Sequence, residues 1–191
     1  MKLTEDFYLR TDVVALAREL LGKVLVTNFD RKKTSGIITE TEAYNGFVDR
    51  ASHAYRGKRT ARNEHMYSHG GISYVYICYG MHHLFNVVTN VKDEPHAILI
   101  RAIKPLEEIN HMLYRRNKLQ VDKTLAGGPG TVAQALGIDK QHSGLSLHGN
   151  KIWIEDRNIE VKQEDIKIGP RIGVESAGAD ALLPYRFVFK C

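Results

Sequence analysis

Ile38-Thr39-Glu40-Thr41-Glu42-Ala43-Tyr44 is the stretch on which the fold turns. Its period-two alternation predicts a strand with Glu40, Glu42 and Tyr44 on one face and Thr39, Thr41 and Ala43 on the other. A carboxylate and an aromatic ring then point the same way. On the stretch alone, an edge strand with a solvated acidic face is the plainer explanation of that pattern, and a carboxylate aimed at a ligand gains weight only from the residues downstream. It lies in a strand-like run, 36–44. A shorter run, 23–27, precedes it across the polar turn Asp30-Arg31-Lys32-Lys33, which makes the two a candidate hairpin.

Upstream, Thr11 is expected to cap a helix in which Val13, Val14, Ala17, Leu20 and Leu21 recur at helical spacing and Gly22 is the stop. Downstream, 45–71 is polar, glycine-rich and basic and carries His53, His65 and His69. Irregular segments longer than about 12 to 15 residues in compact domains are usually functional or disordered. The tyrosine-rich run 73–79 reads as a strand. It ends in the turn-like Gly80-Met81-His82-His83, and with 84–89 it forms a hairpin or bulged pair. Another strand is expected at 97–103, after which Pro105 opens an amphipathic helix carrying Leu106, Ile109, Met112 and Leu113. Arg115-Arg116-Asn117-Lys118 reads as the solvated end of that helix. Gly127-Gly128-Pro129-Gly130 precedes a short helix, 131–136, stopped by Gly137, and late strands are expected at 152–155, 171–175 and 186–189. About three helices and several strands without βαβ regularity make an α+β fold, with one domain over 1–191.

The chain has 191 residues, 27 Lys plus Arg against 22 Asp plus Glu, and a net charge of +5. That balance favours a polyanionic partner without demanding one. Two cysteines, Cys78 and Cys191, suggest neither a disulfide framework nor a zinc site. The first residues lack the apolar core of a signal peptide, and no run approaches the roughly 20 apolar residues of a membrane span. An intracellular chain that does not engage a membrane is expected. The histidines at 53, 65, 69, 82 and 83 occur in no metal-binding motif, and no phosphate loop or nucleophile elbow is present, so no metal and no cofactor are expected.

Tyr74, Tyr76 and Cys78 share one face of their strand; three tyrosines in six residues serve either as core or as a platform for stacked bases. Leu99 and Arg101 likewise point together, and Arg101, ending an otherwise apolar strand, needs an anionic or carbonyl partner, a structural carboxylate being the plainest one.

Taken together, Glu40-Thr41-Glu42-Ala43-Tyr44, Ser52-His53, Arg62-Asn63-x-x-Met66-Tyr67 and Tyr74-Val75-Tyr76-x-x-Tyr79-Gly80-Met81 with Asn86 resemble the alkyladenine (3-methyladenine) DNA glycosylase family. So do Leu99-Ile100-Arg101-Ala102 with Pro105, Gly128-Pro129-Gly130, and Arg171-Ile172-Gly173-Val174. These motifs run in order along nearly the whole chain. The resemblance implies a curved, largely antiparallel sheet with helices around it and a protruding hairpin that intercalates Tyr79 into DNA. It implies that Glu42 is the general base for the attacking water, that Arg101 helps to hold that water or a phosphate, and that Tyr44, His53 and Tyr76 surround a flipped base. Asn86 would exclude normal guanine at the pocket edge, and Leu99 and Met66 would line its apolar wall. Lys58, Arg59, Arg62, Met81 and His82 are candidate contacts to the DNA backbone. Two positions depart from the family pattern. Thr131 stands where a lysine is common, and the sequence ends at Cys191 where relatives commonly run further.

Alkylation at N3 or N7 makes a purine cationic, a good leaving group that stacks well on electron-rich rings, so one carboxylate suffices for its release. The expected activity is therefore a monofunctional glycosylase acting on double-stranded DNA as a monomer. It would flip alkylated and in some cases deaminated purines and leave an abasic site. Pocket dimensions rank 3-methyladenine, 7-methylguanine, hypoxanthine and ethenoadenine as substrates. The rival is a non-catalytic nucleic-acid-binding module, in which Glu40 and Glu42 are surface charges and Glu42→Gln changes nothing.

Overall fold

Strand β2, Lys32–Asn45, organises the molecule. Its 14 residues pair antiparallel with three partners: β1 (Val24–Phe29) and β8 (Arg186–Phe189) share one edge in succession, and β5 (His96–Glu107) runs along the other. Beyond β5 come β4 (His82–Thr89) and then β3 (Ser73–Cys78); β6 (Ile152–Glu155) extends the sheet past β1, and β7 (Ile166–Gly169) pairs with β8. Every pair in this eight-stranded sheet is antiparallel. The fold is α+β, as the sequence predicts. The structure is a computed structural model that describes residues 1–190; Cys191, one of the two cysteines in the disulfide reading, lies outside the described residues.

The sheet buries two different surfaces. On one, Val75, Phe85, Val87, Ile98 and Ile100 join Leu16 and Leu20 of α2 (Val13–Glu19), Met112 of α3 (Ile109–Arg115) and Val132 and Leu136 of α4 (Pro129–Leu136) in the main core. The alternate positions on the same strands, Tyr74, Val88 and Ala97, pack with Met66 and Tyr67 in a smaller cluster flanked by Tyr76 and Phe47. Period two separates these sets along β3, β4 and the first half of β5, and the parity changes only across the β2–β5 register shifts, beyond which Ile103 joins the main core. A four-residue helix, α1 (Glu5–Tyr8), seats Tyr8 in the main core. Among the described residues no helix is long and apolar enough to cross a membrane.

Three local expectations are corrected. The cap of α2 is Asp12 rather than Thr11, because a carboxylate accepts two backbone N–H groups at once, from Val14 (3.1 Å) and Ala15 (2.9 Å). Pro105 does not open a helix; it sits inside β5 opposite Gly36, and α3 begins four residues later. The strand tolerates it because β4 pairs with β5 only as far as Leu99, so at Pro105 one edge of β5 is free of a ladder. Residues 171–175 are not a strand. Their stretch follows Pro170 and contains Gly173 at φ 74°, and the strand pairing with β8 is β7 instead.

The segment 46–72 is built on two short 3-10 turns, Tyr55–Gly57 and Glu64–Tyr67, and on side-chain ties rather than on a ladder. The buried Asn63 amide donates to the carbonyls of His53 (2.9 Å) and Lys58 (2.7 Å), and the Tyr67 hydroxyl donates to Lys58 O (2.9 Å). A polar sequence is thereby fixed against the aromatic face.

Candidate active site

The sheet register lays a row of four residues across the aromatic face. Glu42 in β2 lies opposite Leu99 in β5, Leu99 opposite Asn86 in β4, and Asn86 opposite Tyr74 in β3. Register irregularities leave Thr39 and Arg101 without direct partners, and such bulges re-aim the residues beside them. From its bulge, Arg101 reaches both acids of β2, donating from Nε to Glu40 Oε1 (3.0 Å) and from Nη1 to Glu42 Oε2 (3.3 Å). Glu40 is further held by Arg186 Nε at 2.6 Å. The solvated acidic face considered for this strand does not exist.

Glu42 is 0 % exposed. Its Oε2 also accepts from the Tyr44 hydroxyl (2.9 Å), and its Oε1 accepts from the backbone N–H of Ile172 (2.8 Å). Burial pushes its pKa above the ordinary carboxylate value; Arg101, the Ile172 N–H and the Tyr44 hydroxyl pull the other way, and Glu40 adds to the rise. The result is a carboxylate held rigidly by three donors yet closer to neutrality than an exposed one, a combination suited to accepting a proton.

The three donors to Glu42, from Tyr44, Arg101 and Ile172, line a cleft of about 930 Å³, although Glu42 itself is not among the lining residues. Its lining includes Tyr44, His53, Met66, Tyr76, Asn86, Leu99 and Arg101, so the predicted pocket residues are brought together from four strands and the 46–72 segment. His53 packs edge-on against Tyr76, ring centroids 4.7 Å apart, and its Nδ1 shares a 2.9 Å hydrogen bond with the Tyr74 hydroxyl. Burial, with Arg62 and Lys58 adding, lowers the His53 pKa to about 4, so its ring is neutral at neutral pH. Burial also raises Tyr44 and pushes Tyr76 up to about 12, which keeps both phenols protonated. The Asn86 side-chain amide donates to Tyr74 O (3.1 Å), and its side-chain carbonyl accepts no hydrogen bond among the described residues.

The rim carries the remaining candidates, with two exceptions. Lys58, Arg62, Tyr79 and His82 line the cleft. Tyr79 and Gly80 turn the β3–β4 hairpin at φ 50° and 71°, and Tyr79 is 88 % exposed. His82 packs where a side chain on Gly130 would stand, 3.1 Å away, which couples the hairpin to the first turn of α4. Met81 is exposed at the hairpin tip, outside the lining. Arg59 also lies outside it: its guanidinium is tied to Glu64 (2.9 Å) and Asp93 (2.8 Å) and stacks over Tyr67. Thr131 spends its hydroxyl on Gly128 N and O, closing the α4 cap.

Sequence reasoning missed the support beneath this pocket. Arg171 forms a buried two-pronged ion pair with Asp49, also donates to Ala43 O (2.9 Å), and stacks between Tyr44 (4.8 Å) and Tyr185 (5.3 Å). Its neighbour Ile172 supplies the N–H to Glu42. Arg171 and Asp49 are 122 residues apart, so spacing offers no sign of the pair; the only signal is an arginine in a quoted motif with no partner nearby.

The profile described as methylpurine-DNA glycosylase (MPG) matches residues 6–191. The chain belongs to the methylpurine-DNA glycosylase family. Full-length relatives agree. A Chlamydia abortus protein is 49 % identical over 187 residues, 97 % of each chain; one from Clostridium perfringens is 42 % identical over 198 residues, all of this chain and 96 % of its own; and one from Bacillus cereus is 41 % identical over 199 residues, again all of this chain and 96 % of its own. Each bears the name "Putative 3-methyladenine DNA glycosylase". As a member of the methylpurine-DNA glycosylase family, the chain is a DNA glycosylase and its substrate is DNA.

Proposed function

We propose that this glycosylase flips alkylated purines, and deaminated purines more slowly, from duplex DNA into the cleft, and hydrolyses the N-glycosidic bond with water deprotonated by Glu42. The observation that carries this reading is the fully buried Glu42 carboxylate, fixed by three donors whose residues all line the cleft beside its aromatic rings. In a binding module this carboxylate would serve only as a structural partner of Arg101, and Glu42→Gln would leave function intact.

In this mechanism Tyr44, His53 and Tyr76 stack on the base, and a neutral His53 leaves room for a cationic one. As the C1′–N9 bond lengthens, its electron pair passes to the base and positive charge grows on the sugar, where the Glu42 carboxylate stabilises it. Water then adds at C1′ and Glu42 takes its proton. Arg101 steadies Glu42. Asn86, fixed at the pocket edge by its hydrogen bond to Tyr74 O, clashes with an exocyclic amine at that position and so disfavours normal guanine. Exposed Tyr79 fills the gap in the base stack, offsetting part of the few kcal/mol that flipping costs.

Incubating the protein with a duplex holding one 7-methylguanine or one hypoxanthine tests the reading. Free base and an intact strand that breaks only on alkaline treatment are expected. Strand cleavage without alkali contradicts a monofunctional enzyme, and absence of released base contradicts glycosylase action on these lesions.

A further inference from the structure

We infer that Arg62, standing over the Tyr76 ring, speeds base release by opposing positive charge in the pocket, thereby driving charge from the base toward the sugar beside Glu42. The inference rests on the reading that the cleft receives a flipped purine. Two rings lining the cleft carry a guanidinium, Arg62 at 5.3 Å from the Tyr76 centroid and Arg171 at 4.8 Å from Tyr44. Their charges are compensated differently. Arg171 is neutralised by the Asp49 carboxylate, both side chains being 0–1 % exposed. Arg62 forms no ion pair among the described residues; it lines the cleft and donates to the Ile77 carbonyl at 3.2 Å.

The field of Arg62 already acts on a neighbour. His53, edge-on to Tyr76, resists protonation chiefly through burial, and Arg62 is the larger of the two cationic contributions. What resists a proton on His53 also resists a cationic purine stacked beside it.

Cleavage of C1′–N9 sends the bonding pair to the base. An alkylated, cationic purine therefore leaves neutral, and a neutral purine leaves as its N9 anion, later protonated by solvent. Either way the base grows more negative and the sugar more positive by up to one charge, while water bonds to C1′ and yields its proton to Glu42. A fixed cation beside the base and a fixed anion beside the sugar both favour that transfer. Arg62 also disfavours the bound cationic lesion, so for that lesion it raises the rate after binding while weakening affinity, and for a neutral lesion it acts on the rate alone.

The test is single-turnover release at saturating enzyme, with Kd measured alongside, on duplexes carrying one 7-methylguanine or one hypoxanthine. The native chain is compared with Arg62→Gln and Arg62→Lys; Arg62 is exposed, so neither change threatens the core. Arg62→Gln should lower the saturating rate roughly tenfold on both bases, the order of magnitude of one unit charge acting across a partly desolvated site. Arg62→Lys should restore most of the loss. An unchanged saturating rate in Arg62→Gln, with Kd raised and the salt slope of binding reduced by about one, makes Arg62 a phosphate contact and overturns the inference. If the native chain releases neither base, the glycosylase reading on these lesions fails first, a result that no comparison among Arg62 variants can produce.

Discussion

Glu42 holds a negative charge where burial resists one, and two consequences follow at the residue scale. With Glu42 as the proposed general base, release requires the ionised carboxylate, and the single-turnover rate should fall as pH drops through a pKa above the ordinary carboxylate range; a rate flat down to pH 4 contradicts the assignment. The folded state also binds the Glu42 proton more tightly than the unfolded chain does. Ionisation therefore costs stability as pH rises from the unfolded pKa through the raised one. Glu42→Gln removes that cost, and Arg101 keeps Glu40 as its partner, so the variant should melt at or above the native Tm at pH 7 and lose its advantage near pH 4. Melting well below the native chain at pH 7 contradicts this balance. His53 has the opposite sign. Its folded pKa of about 4 lies below the ordinary histidine value of 6.5, so the unfolded chain takes up the proton first. The stability that His53 contributes by staying neutral is present above pH 6.5 and is lost as pH falls from 6.5 to about 4. Replacing it with Gln should flatten that part of the stability profile measured by urea unfolding.

At the scale of elements, the β3–β4 hairpin sets a strained residue in an exposed place. Tyr79 adopts φ 50°, a conformation that asparagine tolerates far better than tyrosine. Tyr79→Asn should leave Tm unchanged or raised while release from duplex DNA falls by about tenfold or more; full activity in that variant removes Tyr79 as the wedge. The hairpin, the β1–β2 pair and the strand bearing Glu42 were legible in the sequence because alternation records directly which side of a sheet is buried. Pro105 and 171–175 misled for physical reasons. A proline suits a helix start and a strand flanked by an unpaired edge equally well, and an arginine among apolar residues resembles a strand until its buried partner is known. The pocket roles came from motifs in order along the chain, whereas the row Glu42, Leu99, Asn86, Tyr74 needed the register of three strand pairs.

Across the whole molecule, the C-terminal segment completes a site begun in β2. The Asp49–Arg171 pair fixes the backbone that presents Ile172 N–H to Glu42, and the pair is buried, so removing one partner strands a charge. Asp49→Ala should cost about 3–5 kcal/mol in denaturant unfolding. Arg59→Ala, outside the cleft, should leave the salt dependence of DNA binding unchanged, and a reduced slope would show that Arg59 leaves its ion pairs for phosphate. The most direct test of the central claim compares native chain and Glu42→Gln in single-turnover release from a 7-methylguanine duplex at equal DNA occupancy. The account predicts release by the native chain and a loss of at least about a hundredfold in the variant, the scale of a missing general base; equal release by both would contradict it.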